Sequence, residues 1–119
     1  MPSDFKGTPT ADRLNRGVAF RRSNEEARPY RYRVSFINGI STELTAMSHS
    51  AVLQFTFKGK SSNLIFDNLD NSGRLNLHPD KQSIDGYTDA RNQTTGEMSR
   101  LYFYGSVDRP VTASSRLYG

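Results

Sequence analysis

The chain has no cysteine. That excludes a disulfide framework, a zinc–thiolate site and a cysteine nucleophile. No apolar run nears the ~20 residues of a membrane helix, so no membrane partner is expected. The opening MPSDFKGTPTADRLNRG lacks the apolar stretch of a secretory signal. The compartment is left open. Histidine is scarce: His49 and His78 stand far apart without ligand-like spacing, and ordinary surface or hydrogen-bonding roles are expected for both. Nucleophile elbows, phosphate loops and dinucleotide fingerprints are missing. The GKSS at Gly59–Ser62 has no upstream glycine at phosphate-loop spacing.

What is present suits one small domain. The length is 119 residues and 34% of them are hydrophobic, which is low, but 13 Phe and Tyr supply large buried area. Net charge is +4. Residues 1–33 hold eight Lys/Arg against four Asp/Glu, and residues 34–119 hold eight against eight. The basic excess therefore sits in a segment that reads as loop, which does not suit a dedicated nucleic-acid domain.

Residues 1–29 are rich in Gly, Pro, Ser, Thr and charge, and read as an irregular N-terminal segment with a short helical turn at TADRLNR. From Tyr30 the period becomes two: Tyr30, Tyr32, Val34 and Phe36 alternate with Arg31, Arg33 and Ser35, as in a half-buried strand. Asn38-Gly39 then predicts a type I′ hairpin turn. ISTELTA, AVLQFTF, NLIFD, RLNL, SIDGY and RLYFYGSV read as further strands, and RPVTAS as the start of a last one. AVLQFTF puts Leu53, Phe55 and Phe57 on one face, and RLNL does the same for Leu75 and Leu77. Short strands broken by turn clusters predict an all-β, antiparallel β-sandwich over residues 30–119.

Several chemical motifs give way to plainer readings. Within Asp67–Pro79 the best calcium-loop register sets Asn68, Asp70 and Ser72 before Gly73, and its twelfth position is then Pro79, where a bidentate Glu is needed. A strand-connecting turn explains it better. Arg31 and Arg33 share one strand face while Tyr30 and Tyr32 take the other. Cations and stacking rings then do not converge, and no nucleic-acid partner is expected. Asn92-Gln93-Thr94 matches a glycosylation acceptor, relevant only in a eukaryotic secretory context. Glu25 and Glu26 are adjacent and point differently, so they make a poor glycosidase pair. Exposed aromatics are common sugar platforms, and Tyr87, Tyr102 and Tyr104 are candidates, with core packing expected for at least half of them.

FRRSNEEARPYRYRV resembles the F-S-H-x-N-E-x-A-x-P-G-Y-Y-x-V motif of glycoside hydrolase family 92, the calcium-dependent exo-acting α-mannosidases, α-1,2-mannosidase-like. The matched positions are Phe20, Asn24, Glu25, Ala27, Pro29, Tyr32 and Val34. NGISTELTAMSHSAVLQFTF is similar to the family's next segment at Gly39, Ile40, Glu43, Leu44, Thr45, Ala46, Phe55 and Phe57. The resemblance runs over residues 18 to 113. It departs from the family at Arg21-Arg22, Tyr30-Arg31, Met47, His49 and Lys58.

The resemblance implies part of the family's N-terminal β-sandwich, with Asn24 and Glu25 as polar groups facing glycan. In that family the sandwich packs on an (α/α)6 barrel that supplies the acid, the base and the calcium ligands, and 119 residues leave no room for it. The expectation is a non-catalytic module or a degenerate stand-alone relative. It has no catalytic residue, metal site or cofactor of its own, and calcium belongs to the missing catalytic domain. Expected partners are that barrel or a second copy of the chain, and a mannose-containing glycan. The full-length parent would hydrolyse terminal α-mannose, and such parents are often secreted or periplasmic. The alternative is an autonomous carbohydrate-binding or protein-interaction sandwich.

Overall fold

The computed structural model describes residues 1–5, 12–67 and 72–115. Nine strands are present among them: β1 Pro2–Ser3, β2 Phe20–Arg28, β3 Arg31–Phe36, β4 Ser41–Ala46, β5 Ala51–Thr56, β6 Asn63–Leu64, β7 Gly73–His78, β8 Ser83–Arg91 and β9 Met98–Ser106. One four-residue helix, α1 (Arg13–Arg16), is capped by the Asp12 carboxylate accepting from the Leu14 amide at 2.9 Å. The fold is all-β and antiparallel, as the turn spacing predicted. The chain forms two compact units, Met1–Ile65 and Phe66–Gly119.

Unit 1 holds a four-stranded sheet in the order β2-β3-β4-β5 and a small β1-β6 pair. Its register places Tyr32, Val34, Leu44, Leu53 and Phe55 on one side, and Arg31, Arg33, Glu43 and Gln54 on the other. The alternation in the sequence thus sorts aromatic from arginine as expected. Val34 (5% exposed) and Ile40 (2%) are the buried apolar centre. On the polar side Glu26 accepts from Arg28 and, at 3.1 Å, from Arg31, and Arg31 also pairs with Glu43 at 3.6 Å. Part of the arginine row is therefore neutralised within the sheet.

Four expectations need correction here. The N-terminal stretch is irregular only in part, because Phe20–Arg28 forms a nine-residue strand. It carries no apolar alternation, because it lies at the sheet edge with almost every residue exposed. Tyr30 is not on the apolar face. Arg28 opposes Arg31, so Pro29-Tyr30 is a two-residue turn, and Tyr30 is 64% exposed. The Asn-Gly turn is not type I′, since Asn38 has no positive φ. The Gly39 amide donates to the Phe36 carbonyl at 3.0 Å and the Phe36 amide to the Ile40 carbonyl at 2.8 Å. Gly39 sits at φ +86°. This is a three-residue loop ending in a left-handed glycine, braced by the Ile40 amide donating to Asn38 Oδ1 at 3.2 Å. Finally, RPVTAS forms no strand among the described residues.

Unit 2 is a three-stranded sheet in the order β7-β8-β9. Leu75, Leu77, Ile84, Leu101 and Phe103 share one side by register, with Ile84 buried. β7 reaches β8 through a 3₁₀ turn at Pro79–Lys81 and a left-handed Gln82. The β8–β9 turn is organised by Asn92, whose Oδ1 accepts from the Thr94 and Thr95 amides at 2.8 and 3.1 Å. Asn68 and Asp70, weighed above as calcium ligands, lie outside the described residues.

Candidate functional site

The polar side of unit 2 is the best-defined chemical surface. Period-two alternation in GRLNLH, SIDGYTDAR and MSRLYFYGS turns every second side chain to this side. The register then stacks them in rows across three strands. One row is Asn76–Asp85–Tyr104, the next Arg74–Tyr87–Tyr102, and the third pairs Asp89 with Arg100. Tyr87 of β8 is thereby brought beside Tyr102 and Tyr104 of β9.

Each row is tied by named contacts. Asp85 accepts from Asn76 Nδ2 at 2.9 Å and lies 2.6 Å from His78 Nε2. Arg74 Nε donates to Asn76 Oδ1 at 3.1 Å. Arg100 grips Asp89 through two hydrogen bonds, at 2.7 and 2.9 Å. The Arg100 guanidinium also lies 3.8 Å above the Tyr87 ring, and Tyr87 meets Tyr102 edge to face at 5.9 Å. Tyr102 and Tyr104 are 71% and 73% exposed. Aromatic rings left open beside fixed hydrogen-bonding groups are what a sugar platform needs: apolar C–H patches rest on a ring while hydroxyls find polar partners.

The charges on this side are settled as carboxylates. Hydrogen bonds from Asn76 and then His78 hold Asp85 below its ordinary value. Arg100 does the same for Asp89. Asp89, followed by Tyr102, raises Arg100 further. A glycosidase acid needs its pKa pushed up instead, the opposite of the shift at Asp85 and Asp89.

The two remaining predicted contacts, Asn24 and Glu25, lie in unit 1 at a bulge. Phe20 opposes Phe36 and Glu25 opposes Val34, so residues 21–24 on β2 face Ser35 alone. Asn24 lines a cleft of about 570 Å³. Glu25 turns to the apolar side, where it accepts from the Tyr32 hydroxyl at 2.8 Å and raises its pKa. The neighbours do not converge.

Sequence reading missed Asn76, His78, Asp85, Asp89 and Arg100 as companions of the tyrosines. Their signal was the alternation itself, once β7, β8 and β9 are set in register. Among the described residues no three His, Asp or Glu side chains gather to hold a metal. No described helix is long and apolar enough to cross a membrane.

An antiparallel all-β module with a polar, aromatic sheet face is the class these features define. The family model of the glycosyl hydrolase family 92 N-terminal domain matches residues 2–118, and the chain belongs to that family. No curated protein matches the chain.

Proposed function

We propose that the chain is a non-catalytic module of a family 92 hydrolase system that presents the β8–β9 face to a mannose-containing glycan and docks a catalytic barrel domain. The observation that carries this reading is the convergence of Tyr87, Tyr102 and Tyr104 on one side of one sheet, beside the Asn76–Asp85–His78 cluster. Membership of the family supports the glycan as partner and α-mannose as the sugar that a full-length parent would release. The bound state of Asp85 and Asp89 supports a role in holding sugar rather than cleaving it. Exposed Leu53 and Leu101 on the apolar sides of the two sheets suit a scaffold that meets another domain.

Calorimetric titration of the chain with a mannose-terminated oligosaccharide tests the reading. Binding is expected, with Tyr102→Ala plus Tyr104→Ala removing it while the melting temperature stays within a few degrees. An aryl α-mannoside should remain uncleaved by the chain. Sugar binding that survives the double substitution would place the contact elsewhere, and hydrolysis would end the non-catalytic reading.

A further inference from the structure

One register row of the unit 1 sheet consists of three hydroxyl side chains. Ser35 of β3 opposes Ser41 of β4, which opposes Thr56 of β5. All three line the 570 Å³ cleft, and a cation flanks each end. At the β2 end the bulge supplies Arg21. Just past β5 comes Lys58.

The placement of Lys58 is built into the turn. A Cβ on Gly39 would stand 2.7 Å from Lys58 Cδ, so the lysine stem lies over the face that the glycine leaves open. The φ of +86° favours glycine at position 39, and a Cβ there would make the flexible Lys58 stem shift. No Asp or Glu lines the cleft. Among the described residues neither Arg21 nor Lys58 has an ion-pair partner, unlike Arg28 and Arg31 on the same sheet.

We propose that this cleft is an oxyanion subsite, taking the tetrahedral phosphate or sulfate group of a ligand. Hydroxyl protons of Ser35, Ser41 and Thr56 donate to the anion's oxygens, the Asn24 amide adds a further donor, and Arg21 and Lys58 balance the charge. A neutral sugar satisfies the hydroxyls but gives the two cations nothing. The site is independent of the tyrosine face and stands or falls separately from it.

Amide NMR of the full chain at low ionic strength provides the test, with four probes: inorganic phosphate, inorganic sulfate, a hexose 6-phosphate and the unmodified hexose. Saturable shifts are expected at Ser35, Gly39, Ser41 and Thr56 with the anions, and none there with the plain hexose. Arg21→Gln and Lys58→Gln should each weaken binding about tenfold, the size of one charge-assisted hydrogen bond. Arg33→Gln, on a residue outside the cleft, should leave it unchanged. Tighter binding of the hexose phosphate assigns the subsite to a sugar ester. Tighter binding of the inorganic ion assigns it to the free anion, and either result supports the oxyanion chemistry. Absence of saturable shifts with every anion overturns the proposal. So does equal weakening by Arg33→Gln, which would reveal diffuse charge instead of a site.

Discussion

Gly86→Ala is the most informative single change in unit 2. Gly86 lies in the central strand, opposite Leu75 and Phe103. A Cβ there would fall 1.9 Å from the Arg74 carbonyl oxygen, 3.0 Å from its carbonyl carbon and 3.2 Å from Phe103 Cζ. Ordinary contact begins at about 3.4 Å, so β7 would have to retreat by more than an ångström. The obstacle is backbone, which has no rotamer to escape into. Overpacking a tight site costs ~1–3 kcal/mol and occasionally more, and this clash belongs at the upper end. In a domain of this size 1 kcal/mol moves the melting temperature by roughly 4–8 °C, so a fall of about 15 °C is expected. The same retreat draws Asn76 and His78 away from Asp85, so sugar binding should weaken as well. Gly59→Ala is the control: its Cβ meets nothing within 4 Å, and the effect should stay within ~0.5 kcal/mol. Thermal melts followed by circular dichroism decide the matter. A Gly86→Ala protein that melts within about 2 °C of the parent, equivalent to about 0.5 kcal/mol, would refute the steric reasoning.

Three further outcomes are expected. Gly39→Ala should lose about 1–2 kcal/mol for its left-handed backbone, and Gly39→Asn, which tolerates that region better, should lose less in the same melts. Asp85 and Asp89 both have lowered pKa values, so their stabilising contribution is fully present above the ordinary carboxylate value of 3.8 and is lost as pH falls through the lowered folded values. The melting temperature should therefore hold from pH 7 to about 5 and drop below about 4, with a shallower drop in Asp89→Asn; an identical slope in the variant would contradict the sign. Exposed Leu53 and Leu101 and open sheet edges should make the isolated chain self-associate, which sedimentation velocity would show as a concentration-dependent coefficient; a monomer with a sharp, high melt would argue for an autonomous fold.

Most strands were legible because their apolar residues alternate. RVSF, TELT, RLNL and RLYFY each declare a period of two. Phe20–Arg28 was hidden because an exposed edge strand has no apolar face to show, and its bulge breaks even the polar alternation. Tyr30 misled because it continues the alternation by one residue, although Pro29, with its fixed φ, already commits that position to a turn. Asn38-Gly39 named the right place but the wrong turn. Register decides the loop length, and Phe36 opposite Ile40 leaves three residues instead of two. The three tyrosines were readable as candidate sugar platforms, but their companions were not. Asp85 and Tyr104 are 19 positions apart and meet only through β8–β9 pairing, as do Asp89 and Arg100. The hydroxyl row of Ser35, Ser41 and Thr56 was likewise invisible until three strands were aligned.

The central claim is that the β8–β9 face meets the glycan. Amide shift mapping during titration with a mannose-terminated oligosaccharide tests it most directly. The account predicts saturable shifts concentrated at Asp85, Tyr87, Tyr102 and Tyr104. Shifts confined to other strands, or none at saturating sugar, would contradict it.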